Sequence, residues 1–338
     1  MSYSIENKLV IAVASSALFD LQESDTVFRE QSVEAYRSHQ REHENEILPV
    51  GVAFPLISRL LALNENSSDR QVEVVLLSRN DPDTGLRLFK AIEKYALDIT
   101  RAAFTGGRDP FRYLDAFNAC LFLSANPADV ADAIEKGVPA GLVFPTEFID
   151  DDHENELRIA FDFDGVLADD SAEAVFQQRS LAGFMESELQ NASVPMPFGP
   201  LHRFFVELAR LQVRILKRCE DHASPMSRIR IAILTARGAP AHERVVTTLR
   251  SWGMQVDEAF FLDGMEKTEV LKAFKPHLFF DDQLAHVTNA ASHVPCAHVP
   301  FGIANRMRPG ASIATPIRRR PPDKAVTKER EKDNALPA

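Results

Sequence analysis

The sequence predicts an α/β protein built from two parallel-sheet halves in tandem, each flanked by helices. Three observations predict this class. Short apolar runs alternate with amphipathic segments of helix length, the pattern of βαβ units. Several of these runs stop abruptly at polar or acidic side chains, as in Phe161-Asp162-Phe163-Asp164 and Phe280-Asp281-Asp282. Such stops mark the carboxyl ends of buried parallel strands, where open α/β sheets bind ligands. Finally, the order of elements in residues 1–150 recurs in residues 151–312, as expected of an internal duplication.

Taken in order, residues 8–14 form a first strand. Its Leu9–Ala17 stretch has the look of a signal-peptide core, but it is short and its flank weakly charged, so a buried strand is favoured. Residues 25–45 are polar and amphipathic and predict a helix carrying Arg37, His39, Arg41 and His43. Residues 53–64 predict a helix with a proline in its first turn. Residues 72–77 form a strand ending in Ser78-Arg79-Asn80, and a helix follows over 83–95. Phe104-Thr105-Gly106-Gly107 is a loop, and 110–118 a helix. A short strand, 121–123, ends at Ser124; a helix over 127–136 and a strand over 140–144 complete the half.

The second half follows at nearly constant offsets. A shift of 149 puts Leu18 on Leu167, and so Val13 and Ser15 on Asp162 and Asp164. A shift of 157 puts Leu77-Ser78 on Leu234-Thr235, Arg87 on Arg244, Phe104 on Phe261 and Gly107 on Gly264. Only the second copy has the acids. Ser124-Ala125 stand where it has Asp281-Asp282, and Pro110 where it has Lys267. The first half is therefore expected to be degenerate, unable to hold a metal in the same way. From residue 313 to 338 apolar periodicity is lost, which predicts a disordered tail.

Composition narrows the function. The chain is 45% hydrophobic and 26% charged, with a net charge of −11 and no basic tract in its body. A nucleic-acid polymer needs a basic footprint, so it is excluded as a partner. A small phosphorylated substrate needs only a local positive site. No apolar run spans a bilayer. Cys120, Cys219 and Cys296 lack metal-ligand spacing. The expectation is a cytoplasmic protein away from membranes, with a homo-oligomer left open.

The chemistry lies at the strand ends of the second half. With one residue between them, Asp162 and Asp164 share a face of an ideal strand. Two like charges there call for a cation such as Mg²⁺. A second strand, 229–235, ends in Thr235, followed by Ala236 and Arg237; a third, 276–281, ends in Asp281-Asp282. Lys267 opens a helix over 268–274, where a cation beside a helix N-terminus clamps phosphate. Lys272 and Lys275 are its rivals.

These motifs, in this order, resemble those of the haloacid-dehalogenase-like (HAD) phosphohydrolases. The resemblance implies two Rossmann-like HAD cores, with a small helical cap at about 171–226. It also implies a chemistry: Asp162 attacks phosphorus, and Asp164 first protonates the leaving oxygen and then activates water. Thr235 and Lys267 would hold phosphate oxygens, with Ala236 and Arg237 on the substrate. Asp162, Asp164, Asp281 and Asp282 would bind Mg²⁺, Asp282 being favoured over Asp281.

A closer resemblance covers nearly the whole chain. Ala14-Ser-Ser-Ala-Leu-Phe-Asp20, His43-Glu-Asn45, Gly51-Val-Ala-Phe-Pro55, Leu249-Arg-Ser-Trp-Gly253 and Ala297-His-Val-Pro-Phe-Gly302 are similar to the cytosolic 5'-nucleotidase type I family. That family hydrolyses nucleoside 5'-monophosphates, AMP above all, with Mg²⁺. Animal members carry Asp-Gly-Asp-Ala where this chain has Asp162-Phe163-Asp164-Gly165, which suggests a bacterial-type member. For the base, Phe176, Phe184, Met185 and Phe198 are candidates, although packing would bury most of them. Asn80, Thr105, Gly106 and Gly107 are candidate substrate contacts from the first half. For the Arg37, Arg41 and His43 face, solvent is favoured over phosphate.

Overall fold

The computed structural model describes residues 4–65, 69–146, 156–222 and 228–305. The tail expected over 313–338 and the boundary expected near 150 lie outside the described residues. In the first half the elements are β1 (Leu9–Ala14), α1 (Ser15–Leu18), α2 (Gln22–Glu30), α3 (Val33–Glu42), α4 (Phe54–Ala62), β2 (Val72–Ser78), α5 (Leu86–Lys94), β3 (Arg101–Phe104), β4 (Leu121–Ser124), α6 (Pro127–Glu135) and β5 (Ala140–Phe144). In the second they are β6 (Glu156–Phe161), α7 (Ser171–Gln190), α8 (His202–His222), β7 (Arg228–Thr235), α9 (His242–Ser251), β8 (Glu258–Phe261), α10 (Thr268–Phe274), β9 (Leu278–Asp281), α11 (Leu284–Ala291) and β10 (Cys296–His298).

All ten strands form one sheet, in the order β3-β2-β1-β4-β5-β10-β9-β6-β7-β8. As expected, each half contributes a parallel sheet flanked by helices; its five strands join those of the other half edge to edge where β5 and β10 pair antiparallel, Cys296 opposite Phe144 and His298 opposite Leu142. Strand order is the same in both halves, reading outward from the junction. Central strands β1, β2, β4 and β9 are buried along their length, so their side chains feed apolar layers on both faces of the sheet.

Several local expectations change. The helix expected over 25–45 is two helices, α2 and α3, with a fresh start at Ser32, whose hydroxyl accepts the Ala35 N–H. Residues 110–118 hold only a 3₁₀ turn, Pro110–Tyr113. Strands β3, β8 and β10 were not foreseen: β3 and β8 are half-exposed edge strands, and β10 has three residues. The cap expected over 171–226 divides. Helix α8 is a sheet-covering crossover, its Phe204 and Phe205 packed on Phe161 with ring centroids 6.0 and 5.7 Å away. Only α7 and the loop after it are free of that role, and α7 breaks at Ser180, where φ is 61°.

Strand register also corrects the internal alignment. Val13 lies level with Leu123, and Phe161 lies level with Phe280. Ala14, rather than Val13, is therefore the counterpart of Asp162. The first half places two hydroxyls at its strand ends, Ser15 and Ser78, with their oxygens 3.0 Å apart.

Candidate active site

Parallel pairing builds the site. Because Phe161 is level with Phe280 and with Ile233, the strand ends of β6, β9 and β7 bring Asp162, Asp281 and Thr235 to one edge. Asp162 lies one residue beyond β6. Its N–H donates to the Phe280 carbonyl at 2.8 Å, and its Oδ1 accepts the Phe163 N–H at 2.7 Å. The extended geometry stops there. Phe163 turns inward to full burial, and Leu167 and Ala168 both donate to its carbonyl. Asp162 and Asp164 therefore flank a turn, not one face of a strand.

Lys267 is the lysine at the centre. It is buried, with Nζ 3.0 Å from Asp162 Oδ1 and 2.7 Å from Asp281 Oδ2. Burial alone would lower its pKa, but the two carboxylates outweigh that and push it up. The rivals are elsewhere: Lys272 is exposed and pairs with Glu269 at 2.7 Å, and Lys275 is the exposed, left-handed C-cap of α10. Asp281 also accepts the Gln283 N–H at 2.8 Å, and its Oδ2 lies 3.2 Å from His286 Nδ1. Burial pushes its carboxyl up, yet Lys267 and His286 prevail and hold it below its ordinary value.

Asp282 is different. Its Oδ1 is buried with no partner. Burial, then the charges of Asp162 and Asp281, push its carboxyl up to about 9. Burial likewise raises Asp162, to about 7, against the pull of Lys267. A buried carboxylate oxygen with no donor is costly, and a hard divalent cation coordinated by oxygens removes that cost. The donor set thus fits Mg²⁺: Lys267 satisfies Asp162 and Asp281, and Asp282 is left facing the same cluster. Gly165 makes room for it. Its φ is 71°, and a Cβ there would meet Asp282 Oδ2 at 2.4 Å.

Asp164 is held by Arg237 in a two-pronged pair, Nε to Oδ2 and Nη2 to Oδ1, each 2.7 Å. Arg237 is itself buried and also donates to Glu188 of α7, which in turn accepts from Arg244 at 2.8 Å. Its guanidinium lies 5.7 Å from the Phe163 ring centroid and 5.5 Å from that of Phe184. The positive charge expected to meet substrate is thus committed to two carboxylates. Thr235 is buried, and its Oγ1 accepts the Arg237 N–H at 3.2 Å; Ala236 between them is exposed. Glu188, Arg244 and His286 were not foreseen, since nothing in their local sequence separates them from ordinary surface charges.

Four expected substrate contacts fall elsewhere. Because the halves meet antiparallel at β5–β10, their strands' carboxyl ends leave opposite edges of the sheet. Asn80 follows β2, and Thr105, Gly106 and Gly107 follow β3. From β2 to β6 is six strand spacings, roughly 29 Å at about 4.8 Å each. Thr105, Gly106 and Gly107 instead close a turn on their own half, with Gly106 and Gly107 N–H donating to Asn80 and Arg79 carbonyls. Arg37 and Arg41 pair with Asp81 and Asp83 at 2.9 and 2.7 Å.

What the first half does bring to the edge that holds Asp162 is its amino edge. A cleft of about 300 Å³ runs between Ile134, Gly137, Val138 and Pro139 on one side and Phe198, Gly199, Pro200, His202, Arg203 and Phe301 on the other. Phe198 is 62% exposed and stacks on His202 at 3.8 Å. Phe176 is also exposed, and Phe184 and Met185 are half-buried. The burial expected for most of these side chains does not occur.

A family model described as 5'-nucleotidase matches residues 1–306. A human protein named cytosolic 5'-nucleotidase 1B is 34% identical over 292 residues, 84% of this chain and 47% of its own length. The chain spans about half the length of that relative. No solved structure matches.

Proposed function

The chain belongs to the 5'-nucleotidase family, and from that premise we propose that it is a Mg²⁺-dependent phosphohydrolase of nucleoside 5'-monophosphates, AMP above all, working in the cytoplasm. The observation that carries the reading is the cluster of Asp162, Asp281 and Asp282 around Lys267, in which one buried oxygen, Asp282 Oδ1, has no donor. Among the described residues no helix is long and apolar enough to cross a membrane.

Asp162, Asp282 and the Asp164 backbone carbonyl would hold Mg²⁺, which when bound supplies neutralisation of the phosphate charge. The remaining work falls to side chains. Asp162 attacks phosphorus with a carboxylate oxygen, and the P–O5′ bond breaks. Asp164 gives its proton to O5′, releasing the nucleoside and leaving an aspartyl-phosphate. Water then attacks phosphorus, Asp164 takes its proton, and the P–O bond to Asp162 breaks to release phosphate. Lys267 and the Thr235 hydroxyl stabilise the equatorial oxygens. Arg237 acts on Asp164, holding the carboxylate in one orientation.

Phosphate release from a panel of nucleoside 5'-monophosphates and sugar phosphates, with Mg²⁺ and with EDTA, tests this. The expected result is metal-dependent release, fastest from AMP. Release from sugar phosphates alone would keep the chemistry and overturn the substrate class. Release undiminished by EDTA would overturn the metal.

A further inference from the structure

We propose that Glu23, His39 and His43 form a second metal site, on the first half, which takes a single divalent transition-metal ion of the Zn²⁺ class. The catalytic reading makes no use of these residues, and the proposal does not rest on it. His39 and His43 are one turn apart on α3 and its C-cap, so their rings share a face; the centroids are 4.1 Å apart. Glu23 comes from the neighbouring α2. One ligand atom from each of the three lies within 4.8 Å of the others.

Two further observations point to a ligand. His39 Nε2 is buried with no hydrogen-bond partner. His43 Nδ1 lies 2.8 Å from the His39 carbonyl oxygen. A carbonyl only accepts, so Nδ1 carries the proton and Nε2 keeps its lone pair. A hydrogen bond from the far ring nitrogen to a carbonyl commonly orients metal-binding imidazoles. The chain just after His43 is held as well, because Glu44 and Asn45 both accept from Lys90 of α5.

The donor set chooses the metal. Two imidazole nitrogens and one carboxylate oxygen suit Zn²⁺ and its neighbours, whereas Mg²⁺ and Ca²⁺ require oxygen. Tetrahedral Zn²⁺ with bonds near 2.1 Å separates its ligands by roughly 3.4 Å, and these three ligand atoms already lie within 4.8 Å of one another. A fourth position is left for water. Such an ion would tie α2 to α3. The site is also remote from the catalytic edge, since α3 packs at the first half's own strand ends, with Tyr36 OH donating to Asn80 Oδ1 at 2.9 Å.

The test uses the full chain, stripped with chelator and then titrated with Zn²⁺, and with Co²⁺ as a visible probe, in excess Mg²⁺ to occupy the catalytic carboxylates. The wild type should bind one equivalent, with the Co²⁺ form showing tetrahedral absorption bands. The double variant His39→Gln/His43→Gln should lose at least about 100-fold in Zn²⁺ affinity, and Asp282→Asn should retain it. Unchanged Zn²⁺ binding in the double variant, or full displacement of Zn²⁺ by Mg²⁺, would overturn the site. Should the double variant fail to fold, wild-type NMR decides: Zn²⁺ must move the ring resonances of both His39 and His43, and stationary resonances reject the proposal.

Discussion

Lys267 is the shared cation of two buried carboxylates, so its removal has a cost that most single substitutions lack. In Lys267→Ala, Asp162 and Asp281 would share a water-poor edge with no cation between them. Breaking a buried pair from one side costs about 3–5 kcal/mol. The melting temperature should fall accordingly, and Mg²⁺ should restore part of the loss. Melting curves with and without Mg²⁺ check this, and an unchanged Tm would mean the pairs are not formed. Asp162→Asn is the contrasting case. It keeps size and shape but removes the nucleophile, so turnover should drop by about 10⁴-fold or more with Tm near that of the wild type. Retained phosphate release would remove Asp162 from the nucleophile's role. At this scale the sequence was highly legible. Asp162, Asp164, Thr235, Lys267, Asp281 and Asp282 all stand at strand or helix ends, where an apolar run meets a charge or hydroxyl. Glu188 and His286 lack such a signature, because each reaches the cluster across a turn or from another element.

At the scale of elements, α7 is connected to the catalytic edge chiefly through one buried side chain. Glu188 receives both Arg237 and Arg244, and Arg237 holds Asp164. Glu188→Gln weakens both ion pairs without changing volume. The expected outcome is a kcat/KM lower by about 10–100-fold, the range for losing a residue that orients a reacting group through another side chain, with the drop carried mainly by kcat and a Tm shift of a few degrees at most. Steady-state kinetics beside a melt separates these, and a change in KM alone would place Glu188 in substrate binding instead. Element periods explain which strands were legible. The buried strands β1, β2, β4, β6, β7 and β9 are apolar runs. Strands β3 and β8 at the sheet's outer edges are half-wet and only four residues long, too short for a period to show. Helix α8 was read as cap because it lies between two motifs, yet Phe204, Phe205, Leu208 and Leu211 are fully buried; its apolar face was the available clue.

The whole molecule sets a constraint that neither smaller scale contains. With the halves joined antiparallel at β5–β10, Asn80 and Thr105 face away from Asp162. Asn80→Ala and Thr105→Val should each leave KM for AMP within about twofold of wild type. A larger rise in KM in either variant would require the first half's carboxyl edge to reach the substrate. The residues that do approach the catalytic edge from that half come from the amino side, such as Asn118, whose Oδ1 accepts from Arg203 at 2.9 Å.

The chain by itself determined the α/β class, the order of the strands' motifs and which carboxylates and lysine meet at the candidate site. All of these depend on local apolar periodicity and on where it stops, and such signals lie within a few residues of each other. Tertiary structure alone decided that the ten strands form one sheet, and that Lys267 bridges Asp162 and Asp281 while Asp282 Oδ1 stays unpaired. It also decided which edge of the first half meets the second. Those outcomes depend on pairings between segments more than a hundred residues apart, above all β5 with β10, where strand direction is set by packing of the whole sheet and leaves no mark in the local pattern of either strand.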